Sequence, residues 1–112
     1  MQGNRLLTEF KGALTEQYVA QQLRSELGIR PFYWSSERAT AEVDFVFQSG
    51  MEIYPLEVKA EENLKAKSLK VYCRKYSPPL AVRTSMSDFR REESLVNLPL
   101  YAISRLLTFC RK

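Results

Sequence analysis

The 112-residue sequence contains no histidine. Ser-His and Cys-His nucleophile pairs and every imidazole-metal site are thereby excluded, so any catalysis must run on carboxylates, Lys, Arg, Tyr, Ser or a hard metal ion. Only two cysteines occur, Cys73 and Cys110, both in segments of helical pattern and without CxxC spacing. They read as structural thiols rather than as a zinc site or a disulfide frame. Uncharged apolar stretches fall far short of the roughly 20 residues that a membrane span needs. Glu9 and Lys11 interrupt the N-terminus where a signal peptide would carry its apolar segment. A cytoplasmic protein without a membrane partner is the expectation. There is also no GxxxxGK[ST] phosphate loop, no internal repeat and no linker.

Apolar residues make up 45% of the chain, enough to build the single core of one domain spanning residues 1–112. Seventeen Lys and Arg against thirteen Asp and Glu give a net charge of +4, which permits a polyanionic partner. Lys65, Lys67, Lys70, Arg74 and Lys75 crowd together, with Arg90 and Arg91 further on. Such a run also fits a solvated helix face.

Hydrophobic periodicity places a first helix over Leu6 to Leu27, stopped by Gly28. Ala13, Val19, Ala20, Leu23 and Leu27 share one arc, and Glu16 projects from the middle of it. A carboxylate there is costly unless a cation, a metal or hydrogen-bond donors meet it. Phe32-Tyr33-Trp34 is an aromatic strand candidate. Ala41 to Phe47 alternates, with Ala41, Val43, Phe45 and Phe47 on one face and Glu42, Asp44 and Val46 on the other. After a turn at Gln48 to Met51, Glu52 to Ala60 reads as the returning strand, with Leu56, Val58 and Ala60 opposite Ile53, Pro55, Glu57 and Lys59. Asn63 to Tyr76 follows as a helix with Ala66, Leu69, Tyr72, Cys73 and Tyr76 buried. Leu80 to Ser85 is then a strand, which makes a crossover and a partly parallel sheet. Asp88 to Glu93 reads as a charged loop, Leu95 to Leu98 as a weak strand, and Pro99 as the start of a last helix to about Phe109.

The hairpin brings acids together. A two-residue Ser49-Gly50 loop sets Asp44 diagonal to Glu57, about 7 Å between Cβ atoms, whereas a four-residue loop sets the pair directly opposite at about 5 Å. Lys59 shares the face of Glu57 because strand side chains repeat every second residue. A first helix packed on that face would bring Glu16 onto the same spot. Carboxylates converging with a lysine suit a Mg²⁺ or Mn²⁺ site that cleaves phosphodiesters, because hard divalent ions favour carboxylate oxygens and activate bound water. The same residues also fit a solvent-facing sheet on which Lys59 simply pairs with Glu57 and Glu16.

The order of Glu16 on a helix, Glu42-Val43-Asp44-Phe45, then Pro55-Leu56-Glu57-Val58-Lys59-Ala60, resembles the PD-(D/E)XK nuclease superfamily. More closely, Gly12 to Glu16, Tyr33-Trp34, those two acidic motifs, Lys67-Ser68-Leu69 and Asn97-Leu98-Pro99-Leu100-Tyr101 resemble the domain of unknown function at the C-terminus of many prokaryotic AAA-type ATPases. The resemblance implies a restriction-endonuclease-like α/β core: a helix, a three-stranded meander, a crossover helix and a further strand in a mixed sheet, here with a C-terminal helix. It implies Asp44 and Glu57 as metal ligands, Glu16 as a further ligand or an acid behind them, and Lys59 as the residue that orients water or neutralises charge. The usual proline before the aspartate is Val43 here. The chain would be the C-terminal part of an ATPase-linked protein or a free-standing relative.

Lys67, Lys70 and Arg74 recur at helical spacing and form a basic row that, with Ser68, could contact the phosphates of DNA. Tyr33 and Trp34 fit base stacking less well than a core position. A second reading keeps the fold without catalysis, docking on an ATPase or forming a homodimer through an exposed apolar patch around Tyr101, Leu106 and Phe109.

Overall fold

The computed structural model describes residues 2–37, 41–59 and 67–110, with side chains from Lys11 in the first stretch and from Ser68 in the last. The expected start of the crossover helix, including Lys65 and Ala66, lies outside these residues. The chain runs α1 (Gln2–Ser25), β1 (Phe32–Ser35), β2 (Glu42–Ser49), β3 (Glu52–Lys59), α2 (Lys67–Tyr76), β4 (Ala81–Ser85), β5 (Arg90–Glu92) and β6 (Leu95–Pro99). A 3₁₀ segment (Leu100–Arg105) then leads into α3 (Leu106–Cys110). This is a mixed α/β fold with the helix, meander, crossover helix and strand in the expected order. Among the described residues no helix is long and apolar enough to cross a membrane.

One sheet of six strands carries the domain in the order β1-β2-β3-β4-β6-β5. The meander β1-β2-β3 is antiparallel, β3, β4 and β6 are parallel, and β5 returns antiparallel at the far edge. Arg90, Arg91 and Glu92, expected in a loop, form that edge strand. Its short length and exposed charges suit an edge, because charged side chains discourage pairing with another chain.

Two apolar clusters lie on the two faces of the sheet. On one face Val19 and Leu23 of α1 pack with Phe47, Tyr54, Leu56, Val82, Val96, Leu98, Ile103 and Leu106. On the other, Leu69 and Tyr72 of α2 pack with Val43 and Ala81, joined by Trp34, Val46 and Cys73. Each large aliphatic side chain buried this way contributes roughly 2 kcal/mol of transfer free energy. Cys73 and Cys110 are free and half-buried, in different clusters. The last helix opens as a 3₁₀ segment after Pro99. Leu106 is buried, Phe109 stacks on Phe89 at 5.4 Å, and only Tyr101 of the expected terminal patch stands exposed, at 80%.

Gly28 ends α1 as expected, with φ of 62° in the left-handed region. The reversal lets Ile29 N–H donate to Leu23 O at 2.7 Å. In the β2-β3 hairpin the two-residue turn is Gly50-Met51, because Ser49 pairs with Glu52. Gly50 supplies the left-handed first position, φ of 63°, that favoured hairpin turns require.

The strict alternation expected for β2 breaks. Phe32 pairs with Val46 but Trp34 pairs with Val43, so two steps along β1 answer three along β2. Asp44 and Phe45 together oppose Tyr33, which is a β-bulge. The extra residue explains why Phe45 and Phe47 join the α1 cluster whereas Val43 joins Val46 on the α2 side.

Candidate active site

The acidic residues gather where β2 and β3 part. Carried one step past Phe45↔Leu56, the hairpin register sets Asp44 directly opposite Glu57. This is the closer of the two arrangements foreseen, reached through a two-residue turn one position later than expected. The backbone of β3 reaches back across the gap: Val58 N–H donates to Asp44 Oδ2 at 2.7 Å.

Glu57 is only 5% exposed. Its pKa is pushed up from 4.5 to about 8, first by burial and then by the hydrogen bond to, and the charge of, Asp44; the Lys59 charge and the Asp44 amide oppose the rise. Two carboxyl groups in contact do not both ionise at low cost, so the pair holds one proton between them at neutral pH. Lys59, half-buried and two residues on, shares the face of Glu57 by strand parity.

Glu16 reaches this region by a route other than the expected one. Helix α1 packs on the Leu56 and Val58 face, through Val19 and Leu23, and not on the face of Glu57 and Lys59. Glu16 lies about one turn before Val19 on the same helix. The residue is exposed, yet its carboxyl leans toward the acids, and its pKa rises by burial first and then by the charge of Asp44. Among the described residues, no three Cys, Asp or Glu groups stand close enough to hold a metal ion as they are placed. Contact is made by Asp44 and Glu57, and Glu16 is their electrostatic neighbour.

Two further residues belong to the neighbourhood. Tyr33, opposite the bulge, is exposed, and its pKa is raised first by the neighbouring Glu42 carboxylate and further by the charges of Asp44 and Glu16. Trp34, the next residue, points to the other face and packs edge-on against Tyr72 at 5.2 Å. The two aromatics judged together from sequence therefore separate, one to the site and one to the core.

The basic helix joins the acidic strand through Ser68, whose Oγ accepts the Glu42 N–H at 3.2 Å. Lys70 and Arg74 are exposed on α2, as expected. The Lys67 side chain lies outside the described residues.

Sequence reasoning missed a second polar cluster in the same sheet. The register aligns Glu57, Arg83, Asn97 and Arg90 across β3, β4, β6 and β5. Asn97 Oδ1 accepts from Arg83 Nε at 3.1 Å and from Ser85 Oγ at 2.9 Å, and Asn97 Nδ2 donates to Ser87 O at 3.2 Å and Asp88 O at 3.0 Å. The available signal was an asparagine inside the apolar run Leu95-Val96-Asn97-Leu98, since a buried amide must find partners.

The fold and site define a mixed α/β sheet domain with an acidic pair where two strands diverge. The Domain of unknown function (DUF4143) family matches residues 11–103, and the chain belongs to that family. No curated protein matches it. Glu16, Asp44, Glu57, Lys59 and Asn97 all fall within the matched span.

Proposed function

We propose that this is a nuclease-like domain of the PD-(D/E)XK kind, acting with Mg²⁺ or Mn²⁺ on DNA phosphodiester bonds. The observation that carries it is the placing of half-buried Asp44 directly opposite buried Glu57 across the β2-β3 gap. A like-charged pair in low dielectric is destabilising on its own, and a hard divalent cation in place of the shared proton relieves it. The residues present therefore fit such an ion. Bound there, it would polarise the phosphoryl group and lower the pKa of a water.

Asp44 and Glu57 would hold the ion, with Asp44 oriented by the amide of Val58. Glu16 adds negative charge next to Asp44, as a further ligand or as an acid behind the ligands. Lys59 carries its ammonium on the face of Glu57, where it orients water or offsets charge that develops on the phosphate. Lys70 and Arg74 would take the DNA backbone. The PD-(D/E)XK order of these residues supports the same assignment.

Calorimetric titration of Mn²⁺ into the wild type and Glu57→Ala tests this. Binding by the wild type that weakens at least about tenfold in the variant is expected, as for loss of a direct ligand. Absence of wild-type binding at millimolar Mn²⁺ rejects the reading.

A further inference from the structure

We propose that β1 is a pairing edge, at which a second copy of this chain adds antiparallel and continues the sheet across a twofold axis. This goes beyond the nuclease reading and does not depend on it.

The sheet ends on two strands, and only one is closed by its composition. β5 carries Arg90, Arg91 and Glu92, whose charges discourage a further strand. β1, Phe32-Tyr33-Trp34-Ser35, carries no charge, and among the described residues it has a strand neighbour on one side only. Phe32 is 64% exposed and Tyr33 60%. Such an edge offers backbone N–H and C=O groups together with apolar side chains, which is what an added strand takes.

The strand fits itself. Phe32 and Trp34 face α2, and Tyr33 faces the other side of the sheet. A twofold axis passing through the sheet at Tyr33 sets each Phe32 directly opposite the other copy's Trp34 on one face, and the two Tyr33 side chains opposite each other on the second. Exposed Phe32 is thereby covered by an aromatic that Tyr72 and Tyr76 already brace, at 5.2 and 6.1 Å between ring centroids. Antiparallel pairing also carries Arg30, ahead of the strand in one copy, to the end where Glu37 follows it in the other. Glu42 and Asp44 lie on β2, so across the axis they stand three strand spacings apart, roughly 14 Å, beyond the Debye length of about 8 Å at physiological salt. Pro31 bounds the strand at one end, and at the other Ser36 N–H is already given to Ala41 O at 2.9 Å. The contact is therefore small and the dimer depends on concentration.

Sedimentation velocity of the full chain from about 10 µM to about 1 mM, with amide hydrogen exchange at both ends of that range, tests this. A monomer–dimer equilibrium is expected, with exchange within residues 32–35 slowing as the dimer forms. Tyr33→Lys sets like charges opposite each other, and Phe32→Glu removes an aromatic pair that the axis repeats; each is expected to weaken association about tenfold. Tyr101→Lys, at a position 80% exposed, leaves association unchanged. A dimer that survives both β1 variants, or that Tyr101→Lys dissolves instead, overturns the assignment to β1. A wild type still monomeric at about 1 mM overturns the proposal and leaves the edge to a strand of a different protein.

Discussion

Two polar clusters share the interior of this sheet, and they are built in opposite ways. At Asn97, 1% exposed, both lone pairs of the amide oxygen and both amide protons have partners. Two strands to the side, Asp44 and Glu57 face each other with like charge and one proton to share. A fully satisfied network rigidifies its surroundings, and a partly satisfied one leaves free energy for something else to recover. The first is therefore a scaffold, tying the 87–88 backbone and β4 to β6. The second is a place where a cation gains by binding. Arg83 stands between them in the cross-strand row, and its Nε bond commits it to the scaffold.

Asn97→Ala probes the scaffold most severely. It removes four hydrogen bonds from buried or half-buried groups, one of them to a guanidinium, and is expected to lower unfolding stability by about 3 kcal/mol in urea titrations. A loss below about 1 kcal/mol would erase the distinction between the clusters.

The acid pair should respond with the opposite sign. Glu57 holds its proton more tightly folded, to about 8, than unfolded, near 4.5. Its stabilising contribution is complete below about 4.5 and is lost as pH rises through about 8, so the metal-free protein loses stability across that window. Glu57→Gln removes the repulsion and should raise stability by roughly 2 kcal/mol at about pH 9, with little effect in acid. Denaturant midpoints measured at both pH values check it, and a destabilised variant at high pH contradicts it.

Ser85→Ala is the mildest probe. It deletes one of the two donors to Asn97 Oδ1 and the acceptor of Ser87 N–H, for an expected loss of about 1 kcal/mol. Equal losses in Ser85→Ala and Asn97→Ala would mean that the network does not centre on the asparagine.

The hairpin, the crossover, the parallel strands and the end of α1 at Gly28 were legible because each rests on periodicity or on a residue with a backbone preference. So was the approach of Asp44 to Glu57. The bulge was not legible: Ala41, Val43, Phe45 and Phe47 alternate without fault, and only the pairing of β1 with β2 reveals the extra residue. Strand β5 was hidden because Arg90, Arg91 and Glu92 are charged like a loop, and an edge strand tolerates that composition. Glu16 was rightly singled out as anomalous, but sequence could not show that α1 occupies the far face and brings Glu16 near Asp44 from there. Tyr33 and Trp34 looked equivalent because a strand's pattern does not say which face meets a helix.

The bulge also sets a reading frame for the domain. From Val43 to Val46 the strand must serve a partner on each side, and the residue count suits both only because one residue is extra. Deleting a residue there to regularise the β1 ladder would either drop the aspartate or exchange Val43 and Phe45 between the two clusters. A one-residue change in the Gly50-Met51 turn would slide Asp44 off Glu57. Substitutions within this stretch are judged one side chain at a time, but insertions and deletions are judged by the whole sheet. Changes of length are thus excluded from Val43 through Glu57 far more strictly than changes of residue.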